Sequence, residues 1–377
     1  MRIGVVHDSL RTVGGAERVC LKTIEALKER GHEVVLGTVE KPDWGVVDRI
    51  MGRAQRPDSE HSFVNLGETP LHIYIGLAVP LIASVVRKEC DIIVQTNGDV
   101  MPIGDITYMH YLPASLSDDG SYREGSRPLR ALYSRPYVHI YRHLIEQIPE
   151  KNIFANSIFT KVVVSQTLGR VPTVLYPPIN IRQFEGDNSR QREKAVLICG
   201  RFSPDKNFEF AMDVAKLLPS TPFLLAGTVT GGAASRRYYQ KLVSIVEERE
   251  LKNITFIVNR SFDKIIELYT SCAVLLNCKV NEPFGMAVVE GMAGGAVPVV
   301  HRSGGAWIDS LERADGKYGY SYIGVTGAAN AIRRLIDKKE ETEVIRSRAK
   351  LRAKLFSEEI FKQKFAASIE AAAKEGS

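Results

Sequence analysis

The chain has 377 residues, 44% hydrophobic and 25% charged, with a formal charge of +6. That length supports two ordinary cores, and the charge favours anionic partners without identifying one. Nucleic acid is set aside, because there is no zinc-finger spacing, no RNA-recognition signature and no dense basic tail.

The five cysteines, Cys20, Cys90, Cys199, Cys272 and Cys278, show no metal-ligand spacing. Most lie in or beside apolar runs, as buried free thiols of a reducing compartment do. The sequence opens directly on a strand-like run with no signal peptide before it, so a cytoplasmic protein is expected. The longest apolar stretch, Leu71 to Val86, is interrupted by His72, Gly76 and Pro80. It falls short of the roughly 20 apolar residues a spanning helix needs.

Strand-like and helix-like runs alternate from the start, the pattern of parallel sheets covered by helices. In the first half, strands are predicted at Ile3–His7, Glu33–Gly37, Ile92–Gln95, Ile106–His110, Asn152–Ala155 and Thr173–Leu175. Helices are predicted at Ala16–Arg30, Leu71–Lys88, Pro128–Gln147 and Ser157–Leu168. The first strand leads into Gly14 and Gly15 and then a helix. Adjacent glycines there let backbone approach a ligand, and free helix N–H groups favour phosphate, although a simple turn explains them equally. This is not the Gly-x-Gly-x-x-Gly fingerprint of dinucleotide sites. His110 ends a strand, where it is either a core residue or a donor beside a reacting group.

Five arginines and four tyrosines interleave between Tyr122 and Arg142. An ordinary solvated helix is the plain reading. A surface for anionic lipid or for an acceptor's phosphates is the sharper one, and it adds peripheral membrane contact to the expected partners.

Tyr176-Pro177-Pro178 and the polar stretch Glu185 to Lys194 read as an interdomain linker. A second series follows, with strands at Ala195–Cys199, Phe223–Ala226, Ile254–Val258, Val274–Asn277 and Val297–Val300. Helices are predicted at Tyr238–Arg249 and Asp263–Thr270, and the tail from Ala328 to Ala373 is nearly all helix. The expected architecture is α/β, with two Rossmann-like doubly wound domains facing a central cleft. The boundaries are residues 1–185 and 186–355, with a terminal helix at about 356–377 packing back on the first domain.

Three motifs in the second half point to chemistry. Arg201 and Lys206 follow a strand's carboxyl end and can converge on one diphosphate, the guanidinium as a fork and the ammonium as a point charge. Glu282 lies in a strand-to-helix loop and Glu290 inside the next helix, which ends at Gly294-Gly295. A helix N-terminus attracts anions, so carboxylates at either end must meet something else. Sugar hydroxyls are the obvious donors to them, and the pattern suggests a nucleotide sugar. His301 to Gly305 also follows a strand, and its Gly304-Gly305 pair suggests another close backbone approach.

Together these motifs resemble family 4 of the retaining glycosyltransferases, which have the GT-B fold. The resemblance runs over essentially the whole chain. It rests on Gly14-Gly15-Ala16-Glu17-Arg18, on Gly200-Arg201 through Lys206-Asn207, and on the Glu-x7-Glu signature from Glu282 to Glu290 with Pro283-Phe284-Gly285. Within that family Tyr108 to Tyr111, Leu175 to Pro178 and His301-x-Ser303-Gly304-Gly305 are similar to the dolichol-pathway α-1,2-mannosyltransferases, which use GDP-mannose. The shorter chain, Pro283 in place of a His and Ala306 in place of a Pro favour a prokaryotic or archaeal counterpart.

The resemblance implies retention of configuration, no metal and no cofactor beyond the nucleotide-sugar substrate. It implies transfer of a hexose, with mannose favoured, to a glycan or lipid-linked acceptor. Catalytic roles pass to His110, Arg201, Lys206 and Glu282. Donor-binding roles pass to Gly14, Gly15, Phe284, Gly285, Met286, Ala287 and Glu290. Transfer from a UDP-sugar and epimerisation of a nucleotide sugar on the same fold are the alternatives. A dehydrogenase and a non-catalytic sugar-binding protein are the more distant ones.

Overall fold

The computed structural model describes residues 1–11, 14–64, 72–99, 101–112, 139–184, 192–229 and 232–375. The predicted helix Pro128–Gln147, the Tyr122–Arg142 surface and the polar linker therefore lie largely outside the described residues. The chain forms two compact units, Met1–Pro178 with Glu358–Ser377, and Ile179–Ser357.

The first unit is built on β1 (Arg2–His7), β2 (Glu33–Glu40), β3 (Ser59–Val64), β4 (Ile92–Gln95), β5 (Ile106–Met109), β6 (Ile153–Ala155) and β7 (Thr173–Val174). They form one parallel sheet in the order β3-β2-β1-β4-β5-β6-β7. Its helices include α1 (Gly15–Glu29), α2 (Trp44–Met51), α3 (His72–Arg87) and α4 (Ile158–Leu168).

Parallel strands bury both faces, so consecutive apolar residues serve opposite layers. Ile3, Val5, Val34 and Leu36 pack with Val19, Ile24 and Leu27 of α1. Val6, Val35 and Ile93 pack with Val79, Ile82 and Val86 of α3. Gly4 and Gly37 let α3 come this close, since a Cβ on either would stand 2.6–2.7 Å from Val86.

The second unit carries β8 (Glu193–Arg201), β9 (Phe223–Thr228), β10 (Ile254–Val258), β11 (Cys272–Asn277), β12 (Val297–His301) and β13 (Tyr320–Tyr322). Their parallel order is β10-β9-β8-β11-β12-β13. Helices α5 (Phe208–Lys216), α6 (Ala233–Glu248), α7 (Phe262–Ser271), α8 (Met286–Gly294), α9 (Gly324–Asp337) and α10 (Lys339–Ala353) cover it. The last helix, α11 (Glu358–Glu375), belongs to the first unit, where Phe361, Phe365 and Ile369 join its core. Among the described residues no helix is long and apolar enough to cross a membrane.

Both sheets have a switch point, where the chain leaves the first strand on one side and later returns on the other. In the first unit it lies between β1 and β4, and in the second between β8 and β11. Open α/β sheets bind ligands beyond the carboxyl ends of the strands at such points.

Candidate functional site

The second unit places its predicted residues at that switch point. Lys206 ends a short 3₁₀ turn (Pro204–Lys206) after β8, and a Cβ on Gly200 would stand 3.6 Å from its stem. Glu282 lies on the loop from β11 to α8. Lys206 Nζ donates to Glu282 Oε2 at 2.8 Å. Lys279 Nζ stands 3.8 Å from Glu282 Oε1 and 3.3 Å from Asp205 Oδ2. The four side chains thus alternate in sign.

Burial pushes the Glu282 carboxyl up, but the charges of Lys206 and Lys279 outweigh it and hold its pKa below the ordinary value. Asp205 is also lowered: burial raises it, and Lys279, the Ser203 hydroxyl, Lys206 and Arg201 more than compensate. Arg201 itself is exposed at the end of β8 and forms no ion pair among the described residues. The structure therefore joins Lys206 to Glu282 directly and sets Arg201 beside them as a separate charge. Lys279 is a member of the cluster that the sequence reading missed. It precedes Glu282 by three positions, with nothing in local pattern to mark it.

The Glu282 loop is held from β12. Ser303 Oγ accepts from the Asn281 N–H at 2.9 Å, and the Gly305 N–H donates to Glu282 O at 2.8 Å. Gly304 has φ +74°, and a Cβ there would fall 2.5 Å from Glu282 O and 2.7 Å from Glu282 N. The Gly304-Gly305 pair is thus a close approach to protein backbone.

At the head of α8, Gly285 has φ +91°, a region that disfavours other residues. Met286 and Ala287 form the partly exposed first turn, whose N–H groups have no intrahelical partner. The Phe284 ring is 2% exposed and packs edge-on to Phe356 at 5.4 Å, so it anchors the loop from within. Glu290 is 6% exposed, and Tyr269 on α7 donates to its Oε2 at 3.0 Å. Tyr269 is a second partner that sequence reading missed.

The first unit gathers its own set around β1 and β4. Gly14 caps α1, and its N–H donates to Glu17 Oε2 at 2.9 Å; Gly15 opens the helix. His110 Nε2 donates to Thr96 O at 2.9 Å, which leaves Nδ1 as the ring's acceptor. Burial holds the His110 imidazole down near 4. Thr96 Oγ1 lies 2.9 Å from His7 Nδ1. Asp99 Oδ1 accepts from the backbone N–H groups of His110 and Tyr111 at 2.7 and 3.0 Å, and burial pushes this carboxyl up to about 8. Asp99, which fixes the backbone that carries His110, is also absent from the sequence reading. Among the described residues no group of three or more His, Cys, Asp or Glu could hold a metal ion.

Residues 180–352, the stretch that carries Lys206, Glu282 and Glu290, match the family model described as glycosyl transferases group 1. This stretch is a group 1 glycosyl transferase domain. A GDP-Man:Man(3)GlcNAc(2)-PP-Dol alpha-1,2-mannosyltransferase of Neurospora crassa is 29% identical over 213 residues, 52% of this chain and 38% of that protein. An alpha-1,3/1,6-mannosyltransferase of Homo sapiens is 24% identical over 351 residues, 80% of each chain. The chain spans less than half the length of the alpha-1,2-mannosyltransferases it matches, 38%, 28% and 44% in those of Neurospora crassa, Candida albicans and Mus musculus.

Among solved structures, HepE of Anabaena in complex with UDP and glucose superposes with a TM-score of 0.75 at 22% identity, covering 98% of this chain and 99% of that one. Sucrose-phosphate synthase of Thermosynechococcus elongatus gives 0.76 at 16% identity, covering 98% of each. These likenesses establish the fold. The group 1 domain and its N-terminal companion are the two Rossmann-like domains of the GT-B architecture.

Proposed function

We propose that the protein is a glycosyltransferase that moves a hexose, with mannose favoured, from a nucleoside-diphosphate sugar to a glycan or lipid-linked acceptor. The observation that carries this reading is the alternating Asp205–Lys279–Glu282–Lys206 cluster at the β8/β11 switch point, beside the free first turn of α8. Fixed cations and helix N–H groups suit a diphosphate, and Glu282 suits the hydroxyls of the attached sugar.

In this reading Lys206 leaves Glu282 for the donor's phosphate, and Arg201 joins it there. The two cations stabilise the departing nucleoside diphosphate by charge, without a metal. Lys279 stays on Glu282, so the buried carboxylate remains paired while it accepts from sugar hydroxyls. Glu290 accepts from the ribose. Gly14 and Gly15 present backbone to the diphosphate, and His110 hydrogen-bonds the transferred sugar. The departing phosphate takes the acceptor's proton on the face it leaves, giving retention.

The mannosyltransferase names of the relatives support GDP-mannose as donor and favour transfer over epimerisation. UDP-sugar transfer is the second reading, favoured by the UDP and glucose bound to HepE, a structural neighbour. In this reading the protein works in the cytoplasm, at the membrane surface if the acceptor is lipid-linked.

A thermal-shift comparison of GDP-mannose and UDP-glucose tests the donor, since a ligand of the folded state alone raises the melting temperature. A selective GDP-mannose response is expected; a response to UDP-glucose alone rejects mannose. Glu282→Ala and Arg201→Ala should each abolish most transfer in a folded protein, and near-normal turnover in either would sink the assignment. Activity should survive a chelator.

A further inference from the structure

The second unit has a cavity of about 450 Å³ at the other end of its sheet. Its walls are the amino ends of β8 and β11 and the turn from α9 into α10. Arg192, Lys194, Lys339, Arg346 and Lys350 line it, against a single carboxylate, Glu343.

The two arginines have a structural duty. Arg192 Nη1 donates to Tyr269 O at 3.1 Å and Cys272 O at 3.0 Å, and its Nη2 donates to Gly294 O. Arg346 Nη1 donates to Gly295 O, and its Nε reaches both Glu343 oxygens at 3.1 Å. These bonds satisfy carbonyls at the ends of α7 and α8. They do not use the whole cluster. Arg346 is 8% exposed, yet its Nη2 donates to nothing among the described residues. Lys194 and Lys339 form no ion pair or hydrogen bond among the described residues either. Lys339 opens the 15-residue α10, whose N-cap makes no side-chain bond. Burial and the nearby Arg346 charge push the Arg192 guanidinium down to about 10, which marks the crowding of like charge.

We propose that this cavity binds a phosphate-bearing small molecule, at a site separate from Lys206 and Glu282. The volume falls within the roughly 300–1,000 Å³ usual for small-molecule sites. Five cations facing one exposed carboxylate call for a multiply charged anion. Arg346 Nη2, the two free ammonium groups and the first turn of α10 supply the donors that phosphate oxygens take. The proposal is independent of the donor reading, because it uses none of the same side chains.

Inorganic pyrophosphate, titrated calorimetrically into the full chain, is the probe. Binding should persist within about twofold in Arg201→Ala/Lys206→Ala, which removes the donor-site cations. It should weaken about tenfold or more when Lys194→Glu/Lys339→Glu is added to that background, in side chains that are exposed and cost the fold little. Higher salt should weaken it further. Binding insensitive to Lys194→Glu/Lys339→Glu overturns the proposal. So does binding lost in Arg201→Ala/Lys206→Ala alone, and so does no binding to the wild-type chain. Vesicles of phosphatidylcholine with phosphatidic acid are a second probe. Co-sedimentation abolished by Lys194→Glu/Lys339→Glu supports the site and assigns the phosphate to a lipid headgroup. Pyrophosphate binding without co-sedimentation supports it and assigns a free metabolite.

Discussion

Lys206 Nζ lies 2.8 Å from Glu282 Oε2, across 76 residues of chain. The contact exists because β8 and β11 are neighbours in the sheet, so the loops after them emerge side by side. A buried carboxylate needs such a partner, since charge without one is costly in a poorly hydrated site.

Removing that partner has a pH signature. The folded-state pKa of Glu282 is below its ordinary value, so its contribution to stability is present above the unfolded value and lost as pH falls through the folded one. In Lys206→Met only Lys279 opposes burial, and the pKa rises. The variant should lose about 1–3 kcal/mol at pH 7. The gap should shrink as pH falls below the ordinary carboxylate value and through the lowered wild-type one, where the carboxyl is protonated in both proteins. Denaturant unfolding at pH 7 and pH 3 checks this, and an equal gap at both pH values contradicts it.

Gly304→Ala places a methyl group 2.5 Å from Glu282 O at φ +74°. The left-handed backbone and the overlap together should cost about 2 kcal/mol or more. The Glu282 loop must shift, so nucleotide-sugar affinity should fall along with the melting temperature. A variant with wild-type stability and affinity would show that the close approach is not needed.

Tyr269→Phe removes the hydroxyl that Glu290 accepts and leaves the ring in place. A hydrogen bond to a carboxylate should cost about 1.5–3 kcal/mol in stability. If Glu290 holds the ribose, the donor KM should rise about threefold to tenfold with kcat nearly unchanged. A loss confined to kcat would argue against that role.

Asp99 titrates in the opposite sense to Glu282. Its carboxyl is raised to about 8, so its stabilising contribution is complete below the unfolded value near 4 and is lost as pH rises through about 8. Asp99→Asn keeps an oxygen to accept the N–H groups of His110 and Tyr111 but cannot ionise. The melting temperature of the variant relative to wild type should climb from pH ~5 to pH ~8 and level off above that. A flat difference over that range would show that Asp99 is ionised throughout.

Sequence pattern reached most elements because the cues are local. Buried parallel strands such as Val5-Val6 and Leu275-Leu276 read as apolar runs, and Gly295 at φ +86° ends α8 where the Gly294-Gly295 pair predicts. The strands it missed are at sheet edges. β3, Ser-Glu-His-Ser-Phe-Val, is mostly polar and is held by pairing with β2. β13 is three residues long and is held by β12.

The sequence by itself determined the two α/β series, the strand-end loops carrying Gly14, His110, Arg201 and Lys206, and the eight-residue step from Glu282 to Glu290. These follow from periodicity and from glycine, which act within a few residues. Only the tertiary structure decided the partners: Lys206 and Lys279 on Glu282, Tyr269 on Glu290, Gly304 beneath the Glu282 backbone and Asp99 beneath His110. The reason is physical. Strand order sets which loops meet, and it is fixed by packing both faces of each sheet rather than by any residue within the loops.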